Sequence, residues 1–287
     1  MPYYNDEYNE MQQEQAPLRG ERKAKKRRRK RAGLYFALFI LLVLTVLGFS
    51  VTMFFNVKTI TVKGVGNVFE RYSEEEIIEA SGIKIDSNML RMNKFKIIEV
   101  LEENLPYLKN VTIKRSFPDT IIITVEEAKP CVYVETTGDY IILSEEGKVL
   151  ENVAERPDCI ELLGSGILQN TVGKQAKFKT DTLSEIFFTV QSALKEKGLL
   201  EKTKTISIER SFNIYFEYDN WIIVLGNYDH LINKLNLFLY SYNKENPSLY
   251  YIMTVSGEMR GSYRSLAFEE YLQEKAALRG EKTEADE

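Results

Sequence analysis

The sequence predicts an α+β protein: a single transmembrane helix, then a β-α-α-β-β layer, then a mixed β-rich domain with two helices. Three observations carry that expectation. Residues 34–55 form one unbroken apolar run; residues 57–127 interleave strand periodicity with two capped helical stretches; residues 128–262 hold short β-branched and aromatic runs interrupted by two further helical ones.

The apolar run Leu34–Phe55 has 22 residues, no charge, and Thr45, Ser50 and Thr52 as its polar side chains. As a helix it would rise about 33 Å, enough to cross a hydrocarbon core of about 30 Å. A buried core helix of that length would carry a polar stripe, and none is present. Ten of the thirteen residues in Arg19–Arg31 are basic, against two in Asn56–Lys63. Positive charge holds the cytoplasmic flank, so Lys26, Arg27, Arg28, Arg29, Lys30 and Arg31 are expected to orient the helix, with everything after residue 56 outside the cell membrane. A cleaved signal peptide with its core at Leu34–Leu47 is the rival reading. The 33 residues ahead of that core, and hydrophobicity continuing to Phe55, favour a retained anchor.

Residues 1–31 carry ten basic and five acidic side chains, and the whole chain is −4, which leaves residues 32–287 at −9. An acidic exterior repels phosphate backbones, so nucleic acid is not an expected partner. The opening "MPYYNDEYNEMQQEQAPL" has almost no aliphatic content and is expected to be disordered.

The exterior begins with Val57–Gly64, whose alternation of β-branched and polar residues reads as a strand. Ser73-Glu74-Glu75-Glu76 is a capping box ahead of apolar positions 77, 78 and 80, with Gly82 as the stop. In the next helical stretch Phe95, Ile98, Leu101 and Leu105 fall at helical spacing and Pro106 closes it. Two strands follow, Val111–Phe117 and Thr120–Glu126, turned at Pro118-Asp119. Two helices on one face of a three-stranded sheet is a stable layer.

These residues resemble a POTRA domain, and specifically the FtsQ/DivIB family of bacterial cell-division proteins. The family's opening V-x-x-I-x-V-x-G is matched by Val57, Ile60, Val62 and Gly64. Its closing motif is matched by Leu105-Pro106-Tyr107-Leu108, Val111, Ile113, Arg115, Pro118, Thr120, Ile121, Ile123, Val125 and Glu127. Downstream the likeness thins. Glu127-Ala128-Lys129-Pro130 and Gly147-Lys148-Val149 fit, but Ser144 stands where Asp is usual and Glu161 where proline is usual. Leu225-Gly226 and Lys234, Leu235, Phe238 fit again, while Met253-Thr254-Val255 replaces an expected D-L-R. Between them, "TDTLSEIFFTVQSALKEKGLL" reads as an amphipathic helix capped by Thr182 and Glu185. The expected organisation is therefore a disordered basic cytoplasmic tail (1–33), a transmembrane helix (34–55), a POTRA-like domain (57–127), a β-rich FtsQ/DivIB-type domain (128–262) and an acidic C-terminal tail (263–287) that could form a short helix.

Chemistry is sparse. His230 is the single histidine, at the start of a surface helix, and no set of metal ligands converges in the sequence. Ser192-Ala193-Leu194-Lys195 and Ser211-Phe212-Asn213 imitate two penicillin-binding motifs, but the third element, K-T-G, is missing. Ser241-Tyr242-Asn243-Lys244 repeats the first by chance. No glycine-rich phosphate loop occurs, so neither enzyme activity nor a cofactor is expected. Cys131 and Cys159 could pair outside the cell or serve as small buried hydrophobes.

Recognition remains. Tyr250, Tyr251, Ile252, Met253, Thr254 and Val255 form the last strand expected before the tail. A last strand sits at a sheet edge, where unpaired backbone groups can receive a partner's strand. The resemblance implies a non-enzymatic scaffold in the cell membrane at the division septum, gathering FtsL-type and DivIC/FtsB-type proteins and acting through them on the septal peptidoglycan synthase. The alternative is a membrane-anchored cell-wall enzyme or sensor with a POTRA-like stalk.

Overall fold

The computed structural model describes residues 33–49, 54–168, 170–209, 213–255 and 260–281. The basic residues Lys26–Arg31 lie outside these, as do residues 50–53 of the expected span. Residues 33–49 are helical (α1), with their large apolar side chains exposed. Seventeen residues rise about 26 Å, and among the described residues no helix is long and apolar enough to cross a membrane.

Downstream the chain is α+β. By contact it divides into two compact units, one comprising Met1–Thr61, Lys84–Met92 and Lys114–Ile122, the other everything else. A three-stranded sheet is ordered β1 (Thr59–Val65), β3 (Thr120–Glu127), β2 (Leu108–Ser116). After a short turn α2 (Val68–Arg71) comes α3 (Glu74–Ser81), started by the expected capping box: Ser73 Oγ accepts from Glu76 N–H at 3.1 Å, and Glu76 Oε2 accepts from Ser73 N–H at 2.8 Å. Gly82 ends it in the left-handed region (φ 64°), which glycine enters without steric cost. Helix α4 (Lys94–Asn104) starts from Asn93, whose side chain accepts from Phe95 N–H. Of its expected apolar stripe Leu101 is fully buried, but Phe95 is 71% exposed. On β3, Ile121, Ile123 and Val125 are fully buried while Ile122 is not, as the two-residue period requires.

The second sheet has nine strands: β4 (Pro130–Glu135), β5 (Tyr140–Ser144), β6 (Val149–Val153), β7 (Ile160–Leu163), β8 (Thr203–Ser207), β9 (Ile214–Tyr218), β10 (Trp221–Gly226), β11 (Tyr250–Val255) and β12 (Gly261–Leu266). Their spatial order is β12-β11-β10-β9-β8-β7-β4-β5-β6. One face is covered by α5 (Asp181–Glu196) and α6 (Leu231–Tyr242). There Phe187, Val190 and Leu194 of α5 and Leu235 and Phe238 of α6 meet Ile206, Phe216, Trp221 and Ile223 in one core. Each such side chain contributes roughly 1.5–3 kcal/mol by leaving water. Phe238 takes edge-to-face contacts from Phe216, Tyr218 and Trp221, with centroids 5.5–5.7 Å apart.

Three differences from the sequence reading matter. Helix α5 is capped by Thr180, not Thr182: Thr180 is extended and accepts from Leu183 N–H, so the helix begins at Asp181. Tyr250–Val255 is not the sheet edge; β11 pairs in parallel with β10 and antiparallel with β12. The segment after residue 262 forms the short helix the sequence allows, α7 (Phe268–Arg279), but also adds a strand to the sheet, since β12 runs to Leu266.

Candidate partner-binding edge

A sheet of nine strands has two outer strands, and they are finished differently. At β6, Val149 N–H donates to Lys174 C=O and Gly173 N–H donates to Val149 C=O, both at 2.9 Å. The loop carrying Gly173 and Lys174 thus pairs with the first residue of β6. Strand β12 pairs with β11 from Gly261↔Val255 to Leu266↔Tyr250. Among the described residues no strand lies on its other side. Residues 261–265 are exposed and only Leu266 is buried.

The residues expected to bind a partner lie one strand inward. Tyr251, Met253 and Val255 belong to the core under α5 and α6; Tyr250 and Ile252 pack on the opposite face. They support β12 instead of presenting the edge themselves. Trp221 stacks on Tyr251 (4.3 Å between centroids) and leans on Tyr263 of β12 (5.6 Å). Glu245 accepts from both hydroxyls, Tyr263 at 2.7 Å and Tyr251 at 3.3 Å. The hydrogen bond to Glu245 raises the Tyr263 phenol, and burial followed by Glu245 raises that of Tyr251.

Helix α7 fastens the outer strands from the second face. Tyr250 packs on Phe268 and Tyr271 at 5.1 and 4.8 Å. Beyond these rings lies a polar row that crosses the sheet: Glu161 of β7 stands beside Thr205 of β8, and Thr205 beside Glu217 of β9. Both carboxylates are buried, 3% and 0% exposed. Two cations one helical turn apart on α7 meet them: Lys275 Nζ lies 2.5 Å from Glu217, and Arg279 lies 2.5 Å from Glu161 and 3.8 Å from Glu217. Arg156 adds a third cation, 3.5 Å from Glu161. A glutamate inside the apolar runs "IELL" and "IYFEY" is the local signal that could have found this cluster, because a buried carboxylate requires a cation.

The residues singled out for chemistry are scattered. Ser192 and His230 line an open groove between α5 and α6, and His230, at the start of α6, makes no side-chain cap. Lys195 pairs with Glu145 at 2.5 Å, and Ser241 Oγ donates back to Leu237 C=O. Ser211 and Phe212 lie outside the described residues. Cys131 and Cys159 are both free thiols, and Cys131 Sγ accepts from Gln191 Nε2 at 3.0 Å. Among the described residues no group of three or more His, Cys, Asp or Glu side chains is placed to hold a metal.

Lys234 is a functional position of another kind. Fully buried on α6, it donates to Leu225 C=O (2.9 Å), Asn227 C=O (2.7 Å) and Asn227 Oδ1 (2.6 Å). It thereby closes the turn after β10, the strand on which β11 and β12 are laid.

Comparison with known proteins agrees with this architecture. Residues 55–128 match the family model "POTRA domain, FtsQ-type". The chain is 30% identical to cell division protein DivIB of Clostridium acetobutylicum over 188 residues, covering 64% of this chain and 72% of that one. It is 28% identical to DivIB of Clostridium botulinum over 221 residues, 74% of this chain and 82% of the relative. DivIB of Bacillus subtilis is 30% identical over 180 residues, 60% and 65% of the two chains. Motifs, fold and relatives agree, and the chain belongs to the FtsQ/DivIB family of cell-division proteins.

Proposed function

We propose that this protein is a non-enzymatic division scaffold that captures partners by strand addition at β12. The observation that carries the reading is the outer position of β12, with its exposed residues 261–265. A partner strand laid there would gain a ladder of backbone hydrogen bonds, with specificity from alternate side chains such as Tyr263. The partners we assign are FtsL-type and DivIC/FtsB-type proteins, and through them the septal peptidoglycan synthase. The sequence places Tyr250–Val255 in that contact; the pairing of β11 and β12 recasts those residues as its support.

We further propose that residues 34–55 span the cell membrane, with residues 1–33 in the cytoplasm and Lys26–Arg31 setting the direction. The helix at 33–49 and the apolar character of 50–55 support that reading. Residues 57–127 would then be the POTRA-like domain and 128–281 the β-rich domain at the septum. Depletion in growing cells tests the division role: filaments without septa are expected, and normal septation at full depletion overturns it.

A further inference from the structure

The end of the three-stranded sheet where the chain arrives from α1 is chemically unlike the rest of the molecule. Three segments meet there within one compact unit: residues 54–61, 84–92 and 114–122. Met89 N–H donates to Phe55 C=O (2.9 Å), Val57 N–H to Ser87 C=O (2.9 Å), and Asp86 N–H to Val57 C=O (2.8 Å). Lys58 N–H donates to Asp119 C=O at 2.8 Å, tying in the β2–β3 turn. Phe55 meets Phe117 edge-to-face at 5.3 Å, and Arg115 donates to Met92 C=O at 2.7 Å.

This fixed platform carries exposed Phe54, Ile85, Leu90 and Phe117; the two phenylalanines are 68% and 59% accessible. Water contact with rings that large is unfavourable at roughly 25 cal/mol per Å². Its charge is also reversed. Lys58, Lys84, Arg91, Lys114 and Arg115 face only Asp86 and Asp119, a balance of +3, while residues 32–287 as a whole carry −9. Apolar side chains among basic ones are the composition of surfaces that settle into the headgroup layer of an anionic bilayer. Phe54 follows the end of α1 by five residues, which brings the platform to the bilayer wherever the apolar run enters it.

From this we infer that the platform built by residues 54–61, 84–92 and 114–122 is a lipid-docking foot, seated on the anionic bilayer surface beside the membrane helix. The inference rests on the proposed span of residues 34–55 and adds to it a second, peripheral attachment.

Tryptophan quenching by brominated acyl chains tests it, with the full-length chain in nanodiscs containing phosphatidylglycerol. The native Trp221 is 2% exposed and supplies a constant background. Phe117→Trp reports the foot, Phe39→Trp and Phe54→Trp report the span, and Tyr240→Trp, on exposed α6, serves as the water-exposed control. The expected result is quenching and a blue shift at 117, quenching at 39 and 54, and neither at 240. Replacing the anionic lipid by phosphatidylcholine, or combining Lys58→Glu, Lys84→Glu and Arg91→Glu, should reduce quenching at 117 and leave position 39 unchanged. Quenching at 39 and 54 with position 117 behaving like 240 overturns the foot and leaves the span standing. No quenching at 39 overturns the span, and the foot with it. A blue shift at 117 only on addition of a division-protein partner identifies the platform as a protein surface and likewise overturns lipid docking.

Discussion

Arg279→Met removes the cation that two buried carboxylates share, leaving Glu217 with Lys275 at 2.5 Å. The guanidinium lies 2.5 Å from Glu161 and 3.8 Å from Glu217, and burial of the two carboxylates is nearly complete. Without it Glu161 keeps Arg156, whose side chain is 62% exposed, and the hydroxyl of Thr205 at 3.3 Å. Stripping one partner from a buried ion pair costs about 3–5 kcal/mol. At roughly 2–4 °C per kcal/mol for a domain of this size, the melting temperature should fall by roughly 6–20 °C. Near-ultraviolet circular dichroism of the detergent-solubilised chain follows the melt. The double variant Glu161→Gln, Arg279→Met should recover part of the loss, since no charge is then stranded at Glu161; the coupling should be on the order of 1–3 kcal/mol. Arg264→Ala is the surface comparison: its partner Glu274 is 35% exposed, and the change should cost no more than about 0.5 kcal/mol. A loss below about 1 kcal/mol for Arg279→Met, or strict additivity in the double variant, would refute the view that α7 is held by this cluster.

Other positions give sharper contrasts. Lys234→Met leaves the buried acceptors of Leu225 and Asn227 unpaired at about 1–3 kcal/mol each, so unfolding should shift to clearly lower denaturant; an unchanged midpoint would show that water replaces the ammonium. Ile123→Asp buries a lone carboxylate and should destabilise by several kcal/mol, whereas Ile122→Asp, one residue along and half-buried, should be milder; equal melts would contradict the facing of β3. Burial pushes the Cys131 thiol up to about 11, so at pH 8 it should resist a thiol reagent that modifies it quickly once the chain is unfolded. Because the folded value lies above the ordinary 9, this thiol's contribution to stability is complete below pH 9 and disappears as pH rises towards 11. Cys131→Ala should flatten that part of the alkaline stability curve, and an unaltered curve would count against the assignment.

Much of the first sheet was legible because its signals are local. Ser73 and Glu76 sit three residues apart, Gly82 closes the same helix, and Ile121, Ile123 and Val125 alternate with less buried neighbours. The candidate edge was not legible, for a physical reason. An outer strand with an exposed surface needs no apolar alternation, so "GSYRSL" carries none and reads as tail. Conversely "YYIMTV" is apolar at consecutive positions, and its two faces pack into different cores. Runs apolar on both faces mark interior strands; that reading was available and would have displaced Tyr250–Val255 from the edge. Helix α7 is held by Lys275 and Arg279 acting on glutamates 58 and 118 residues away, and no local periodicity encodes a partnership at that range. Phe95 failed in the other direction: its spacing on α4 is that of a core residue, but it lies on the solvent side.

Strand addition at β12 is open to a proline substitution in the strand itself. Consecutive N–H groups of an antiparallel strand point to alternate sides, so of Ser262→Pro and Tyr263→Pro one removes a donor facing outward and the other a donor bonded to β11. Capture of the DivIC/FtsB-type partner by the full-length variants in detergent, with circular dichroism and a thermal melt on the same samples, reads both consequences. The outward variant should fold and melt as the unaltered protein does, yet no longer retain the partner. Retention at unaltered strength by both variants, with unaltered folding, would contradict it.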